Sequence, residues 1–278
     1  MKTLKLARIA AATIALAVGG AHAAPLITSW DVIDIATFDP ATVVPSSGVA
    51  PDPVLSIDKL KLRWGTAASV TGQSGLDIKN FSPVTIGLGV ATTTVSVTHL
   101  NHPIFVPALK SVDIFASLKL TPTGAPPPPV IDDSIVFKVK FFETTNQPGT
   151  GVLCPDGTAN NIGININGCA DIFVITNEDA AFSFVIPADT ATYGPGDQAY
   201  QYSVNFFGTG FTPLSNAACL SAGASSGCSG FLTAEDQDTT AFFQVRIDAS
   251  PIPEPGSLAL LGLGLLGLGA ARRRMSAK

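Results

Sequence analysis

The chain has 278 residues, of which 46% are hydrophobic and only 13% charged, about half the charged share of an average soluble protein. It is too apolar to remain disordered, and its 26 glycines and 21 prolines interrupt the long runs that helical bundles and helical repeats require. The formal net charge of −5 averages regions of opposite sign, and the acidic balance argues against nucleic acid as a partner.

Residues 1–23 begin with Lys2, Lys5 and Arg8, continue as an apolar run from Ile9 to Gly20, and close on Ala21-His22-Ala23. A basic start, a short apolar segment and an A-x-A site read as a secretory signal helix, cut by signal peptidase after Ala23. The run falls short of the ~17 residues that a spanning helix needs. Export then places everything downstream in a disulfide-permissive compartment.

The body, residues 24–250, carries 20 acidic residues against 9 basic ones, a net −11. Its β-rich segments recur between Gly, Pro and Asn breaks: 26–35, 54–64, 85–97, 111–122, 134–144, 170–175, 181–187, 198–208 and 241–248. Apolar Ile135, Phe137, Val139 and Phe141 alternate with Val136, Lys138 and Lys140, a period of two that gives one buried and one wet face. Leu55, Ile57, Leu60 and Leu62 read as the buried side of another strand. About nine strands predict an all-β, antiparallel β-sandwich forming one domain. Pro126 to Pro129 read as an extended connector.

His99 and His102 stand in Thr98-His99-Leu100-Asn101-His102-Pro103. Positions 99 and 102 point to opposite faces of an extended strand, so a two-histidine metal site would need a bend there. The expectation is a structural cluster of side-chain-to-backbone hydrogen bonds. Four cysteines, Cys154, Cys169, Cys219 and Cys228, have no zinc-type C-x-x-C spacing and predict two disulfides, with three connectivities open. Gly223, Ser225 and Gly227 match G-x-S-x-G, but no strand leads in and no helix leads out, so no nucleophile elbow is expected. Glu235, Asp236 and Asp238, or Glu178 and Asp179, offer oxygens for Ca²⁺ without matching a Ca²⁺-loop pattern. The expected cofactor is none, with Ca²⁺ as the rival.

Residues 251–278 hold Pro253-Glu254-Pro255, the uncharged run 256–271 and the cluster Arg272, Arg273 and Arg274 within a basic tail, 272–278. Sixteen helical residues span about 24 Å, a short transmembrane helix whose basic end predicts a cytoplasmic C-terminus. Gly262, Gly264, Gly267 and Gly269 disfavour a buried globular helix, at about 1 kcal/mol each against Ala. Pro-Glu-Pro, a glycine-rich apolar stretch and terminal arginines resemble the PEP-CTERM sorting signal of Gram-negative bacteria. The resemblance implies processing by an exosortase at the inner membrane and release to the cell surface or a biofilm matrix.

A second resemblance runs through the body. The THLNHP string, Trp64-Gly65, Gln73-Ser74, the segment Phe141 to Asn146, Cys169 to Phe173 and Gly227 to Glu235 together resemble the THxN family of PEP-CTERM proteins. That family has no assigned activity, so Thr98, His99 and Asn101 are signature residues of unassigned role. The expectation is a non-enzymatic surface or matrix protein, adhesive or associated with exopolysaccharide. Its rivals are a secreted polysaccharide hydrolase with paired carboxylates and a matrix scaffold with no specific ligand.

Overall fold

The computed structural model describes residues 26–47, 53–123, 130–146, 151–177, 181–186, 199–252 and 263–267. The chain divides into two units, the larger formed by Ile27–Ile186 and Tyr200–Ser250. In chain order the first strands are β1 (Ser29–Phe38), β2 (Val44–Pro45), β3 (Val54–Leu55), β4 (Lys61–Trp64), β5 (Thr66–Ala67), β6 (Ser74–Asn80), β7 (Val84–Gly87), β8 (Thr92–Asn101) and β9 (Ile104–Phe105). They are followed by β10 (Leu109–Pro122), β11 (Ile131–Phe142), β12 (Asp171–Ile175), β13 (Ala181–Ile186) and β14 (Tyr200–Thr209). The last are β15 (Thr212–Pro213), β16 (Ser229–Thr233) and β17 (Gln237–Pro251), with a short helix, α1 (Asn216–Ser221), before β16.

Two antiparallel sheets face one another. One runs β15-β16-β12-β11-β10-β1-β7, with β2 also on β10; the other runs β13-β14-β17-β8-β6-β4-β3. The long central strands set the register: Ala36 lies opposite Ala116, and Ala116 opposite Ile135. Strand alternation produces the core. Trp30, Val32, Ala36 and Phe38 of β1 are buried while Asp31, Ile33 and Ile35 are exposed, as the pleat dictates. Rings meet across the sheets, Trp30 on Tyr202 at 5.2 Å, Phe137 on Phe243 at 4.7 Å and Trp64 on Phe141 at 4.9 Å.

The all-β, antiparallel expectation holds, but the count of about nine strands is low. Segment 54–64 is a hairpin, β3 and β4, turning through Lys59 at φ 58°. Ile57 is fully exposed at that turn. Its apolar spacing slips from two to three residues between Ile57 and Leu60, which is where the chain reverses. Segment 85–97 likewise divides into β7 and β8 around a turn through Leu88 and Gly89. Strands β6 and β16 were not among the predicted segments, since Gly, Asp and Lys in the first and Ser and Gly in the second dilute their β character.

Helix α1 was also not predicted. Ser215 caps it by accepting from Ala218 N at 3.0 Å, which satisfies one of the donors a helix start leaves free. Its buried Ala218 and Cys219 pack on Ile172 and Val174. Strand β12 is therefore covered on both faces, and all five of its residues are buried. Disulfides join Cys154 to Cys169 and Cys219 to Cys228.

Strand β7 pairs only with Ser29 to Val32 of β1. Beyond it, side chains replace the missing strand. Ser82 Oγ accepts from Asp34 N at 2.6 Å and donates to Asp34 O at 2.7 Å. Asn80 accepts from Ala36 N at 2.9 Å and donates to Ala36 O at 3.2 Å. The edge of β1 thus keeps its backbone groups paired, as a buried edge must.

The other unit comprises residues 1–26, 187–199 and 251–278. Within it Ile252 N donates to Ala199 O at 2.9 Å, and residues 263–267 are helical. Among the described residues no helix is long and apolar enough to cross a membrane. The expected span 256–271 lies mostly outside the described residues, as do Ala21, Ala23, Pro253 to Pro255, Arg272 to Arg274, Pro126 to Pro129, Glu178 and Asp179.

Candidate functional site

Residues far apart in the sequence converge between the two sheets. Strand β8 projects His99 and Asn101 inward, both fully buried, and turns Thr98 outward to bond Thr240 across the strand pair at 2.9 Å. Strand β4 supplies buried Trp64, which lies parallel to the His99 ring at 6.0 Å. The facing sheet supplies Glu143 and Thr144 just past β11, Asp171 at the start of β12, Thr233 at the end of β16 and Glu235 beyond it. Register places Asp171 opposite Thr233. Asn101 Nδ2 closes the gap between the sheets by donating to Thr233 O at 2.9 Å.

Two of the acidic groups, Glu143 and Asp171, are held from one side. Trp64 Nε1 donates to Glu143 Oε2 at 2.8 Å. Thr144 N donates to Asp171 Oδ1 at 2.8 Å, and its hydroxyl lies 3.1 Å from the same oxygen and bonds Cys169 O. The disulfide at Cys169, two residues before Asp171, braces that contact. The opposite atoms are left over: Glu143 Oε1, Asp171 Oδ2, Asn101 Oδ1, Thr233 Oγ1, both Glu235 oxygens and both His99 nitrogens are buried without hydrogen-bond partners. Eight such atoms in one cluster is unusual, because buried polar groups are nearly always paired.

The electrostatics follow from burial. Burial lowers the His99 imidazole to about 3, with His102 adding to the effect, so the ring is neutral. Its Nε2, 3.6 Å from Asp171 Oδ2, therefore makes neither a salt bridge nor a full hydrogen bond. Burial raises the Asp171 carboxyl well above its usual range and the Glu143 charge pushes it further, against the pull of the Thr144 N–H. Burial raises Glu143 to about 8, opposed by the Trp64 indole, reinforced by Glu235 and opposed again by a hydrogen bond to the Asp171 carboxyl. Glu235 rises to about 7 through burial and then the charge of Asp236. Among the described residues no Lys or Arg is paired with any of the three.

A cleft of about 690 Å³ lies over the cluster, lined among others by Glu143, Thr145, Asn146, Lys110, Phe105 and Val106. Its size falls in the range of small-ligand sites. Phe105 is 65% and Val106 72% exposed, so both stand free at the rim. Glu143 is only half-buried as a residue, yet its carboxyl is turned inward to Trp64. The rim ribbon, β5 with β9, pairs Thr66 with Phe105. It is fixed at Gly65, whose φ of +76° and whose absent Cβ leave room for Ile104, with Cδ1 only 2.3 Å from where that atom would be. Gln73 Nε2 donates to Gly65 O at 2.7 Å, and Ser74 Oγ donates to His102 O at 2.8 Å.

The histidines accordingly part company. His99 enters the buried cluster, while His102 Nδ1 meets Gln73 O at 3.0 Å near the surface, and the side-chain-to-backbone bonding expected of this string is found at Asn101 and His102 and not at His99. Gly223, Ser225 and Gly227 lie in the turn from α1 to β16, a helix-turn-strand order opposite to that of a nucleophile elbow. Of the residues considered for Ca²⁺, Asp236 and Asp238 are exposed and Glu235 is buried. Glu143 and Asp171 stand inside the segments Phe141 to Asn146 and Cys169 to Phe173 with no motif of their own to mark them. No group of three or more His, Cys, Asp or Glu side chains among the described residues is arranged to hold a metal ion.

Residues 251–274 match the PEP-CTERM protein-sorting motif. No curated protein matches the chain. The motif marks an exported protein with a C-terminal sorting signal, addressed through an exosortase to the cell surface or the extracellular space.

Proposed function

We propose that the sandwich is a non-catalytic binding domain that associates with extracellular polysaccharide once the sorting system has delivered it. The carrying observation is the division of labour between cleft and cluster. The cleft offers an exposed aromatic ring, Phe105, and is lined also by Thr145 and by Asn146, whose Nδ2 donates to Ile104 O, an apolar face with polar neighbours of the kind that sugar rings and hydroxyls match. The acidic groups beneath it face away. A glycoside hydrolase needs two carboxyls flanking a bond at about 5–9.5 Å, whereas Asp171 is fully buried and Glu143 points inward. In this reading the signal helix 1–23 is removed, the run 256–271 holds the chain in the inner membrane until exosortase acts, and the body belongs with the THxN proteins that it resembles.

Exopolysaccharide purified from the exporting host, titrated against the protein by calorimetry, tests the reading. The expected result is saturable binding without release of reducing ends, weakened about tenfold by Phe105→Ala, the effect of removing one anchoring aromatic. Reproducible release of reducing ends would establish the hydrolase instead, and absence of binding would leave the scaffold role.

A further inference from the structure

The polar cluster beneath the cleft has a consistent asymmetry. Asp171 uses Oδ1 for the Thr144 N–H and leaves Oδ2 unpartnered; Glu143 uses Oε2 for the Trp64 indole and leaves Oε1 unpartnered; Asn101 uses Nδ2 on Thr233 O and leaves Oδ1 unpartnered. In all three, one atom orients the group and the other lacks a donor, the relation that outer hydrogen bonds bear to the ligands of a metal, and the Glu143 and Asp171 carboxyls meet side by side. Thr233 Oγ1 adds a fourth free oxygen opposite Asp171. Asn101, Asp171 and Thr233 are fully buried, so bulk solvent does not satisfy these atoms.

We infer that Asp171, Glu143, Asn101 and Thr233 together form a binding site for a hard divalent cation of the Ca²⁺ type. The donor set decides the class. A zinc-type cage needs three or four nitrogen or sulfur ligands, and His99 is the only imidazole inside the cluster. Hard cations instead take carboxylate, amide and hydroxyl oxygens in mixed shells of six to eight, completed by backbone carbonyls and water. On binding, the Asp171 and Glu143 carboxyls, raised by burial, would release their protons, and their two charges then match one divalent ion. The site is distinct from the exposed pair Asp236 and Asp238, and it stands whether or not the cleft above binds a glycan.

Tb³⁺, a luminescent substitute for Ca²⁺, tests the site in the protein purified from its exporting host. The chain has two tryptophans, and Trp64 bonds directly to a proposed ligand, so excitation of the indole should give saturable Tb³⁺ emission that Ca²⁺ competes away. Asp171→Asn and Glu143→Gln should each weaken binding at least tenfold, whereas Asp236→Asn should leave it unchanged. Equilibrium dialysis of the unaltered protein needs no variant to fold and should find one Ca²⁺ per chain, with a melting temperature about 5 °C higher in millimolar Ca²⁺ than in chelator. No bound Ca²⁺ at millimolar concentration, or Tb³⁺ binding undiminished by a folded Asp171→Asn protein, would overturn the proposal.

Discussion

Asp34 sits on the buried face of β1, where alternation calls for an apolar side chain. Its Oδ2 accepts from Thr94 Oγ1 at 2.6 Å, while Oδ1 has no partner. Burial raises its carboxyl to about 6 from 3.8, only partly offset by the Thr94 hydroxyl. An acid with a raised folded pKa holds its proton more tightly when folded. Its stabilising contribution is therefore complete below pH ~3.8 and is lost as pH rises through ~6. The difference is worth roughly 3 kcal/mol across that window. Unfolding of the unaltered protein and of Asp34→Asn should diverge in the same sense: the variant gains relative stability from pH 4 to pH 7 by about this amount. A constant offset between the two denaturation curves over that range would show that Asp34 does not titrate there. Sequence pattern makes Asp34 visible only as a break in an apolar face. The cluster beneath the cleft was legible to a similar degree, since the strings holding Trp64, His99, Glu143, Asp171 and Glu235 could be read but not their meeting. Strand pairing across the two sheets joins them, and no local spacing encodes that.

At the scale of elements, what the sequence showed best were strands that alternate cleanly or run apolar. Strand β11 and the fully buried β12 stood out because their side chains answer to one or two covered faces. Strand β6 is hard to read because Gly, Asp and Lys dilute its β character, and it ends on a polar residue, Asn80. That side chain takes the place of a strand beside β1, holding both the N–H and the C=O of Ala36. Replacing it by Ala leaves two backbone groups on a buried strand unpaired, each a cost of about 1–3 kcal/mol unless water enters. Asn80→Ala is therefore expected to lose about 2 kcal/mol in denaturant unfolding. Faster hydrogen exchange at Ala36 than at Val32, which β7 still covers, is the local signature. Equal exchange at both positions would mean that β1 finds another partner. Helix α1 was hidden for a different reason: six residues are too few for periodicity to register, and only the Ser215 cap and the following alanines marked it.

For the whole molecule, the low charge content proves to be an average over regions with different tasks. The body is a net −11, while the N-terminal segment and the tail each carry +3. Acidity keeps an exported domain soluble and apart from anionic surfaces, and the basic cluster Arg272 to Arg274 favours the cytoplasmic side. As the proposed anchor the run 256–271 would be weak, because sixteen residues in a helix would span about 24 Å against a hydrocarbon thickness of ~30 Å. Such a segment suits temporary retention beside an enzyme that reads Pro253-Glu254-Pro255, within the matched residues 251–274. Protein recovered from its native host should then show by mass spectrometry a C-terminus near that motif, and deletion of 256–278 should send the body into the medium. A mature chain still ending at Lys278 would make the segment a permanent anchor. In that case cleft and cluster would work at the membrane rather than in the matrix, because delivery, not the fold, decides where they meet a ligand.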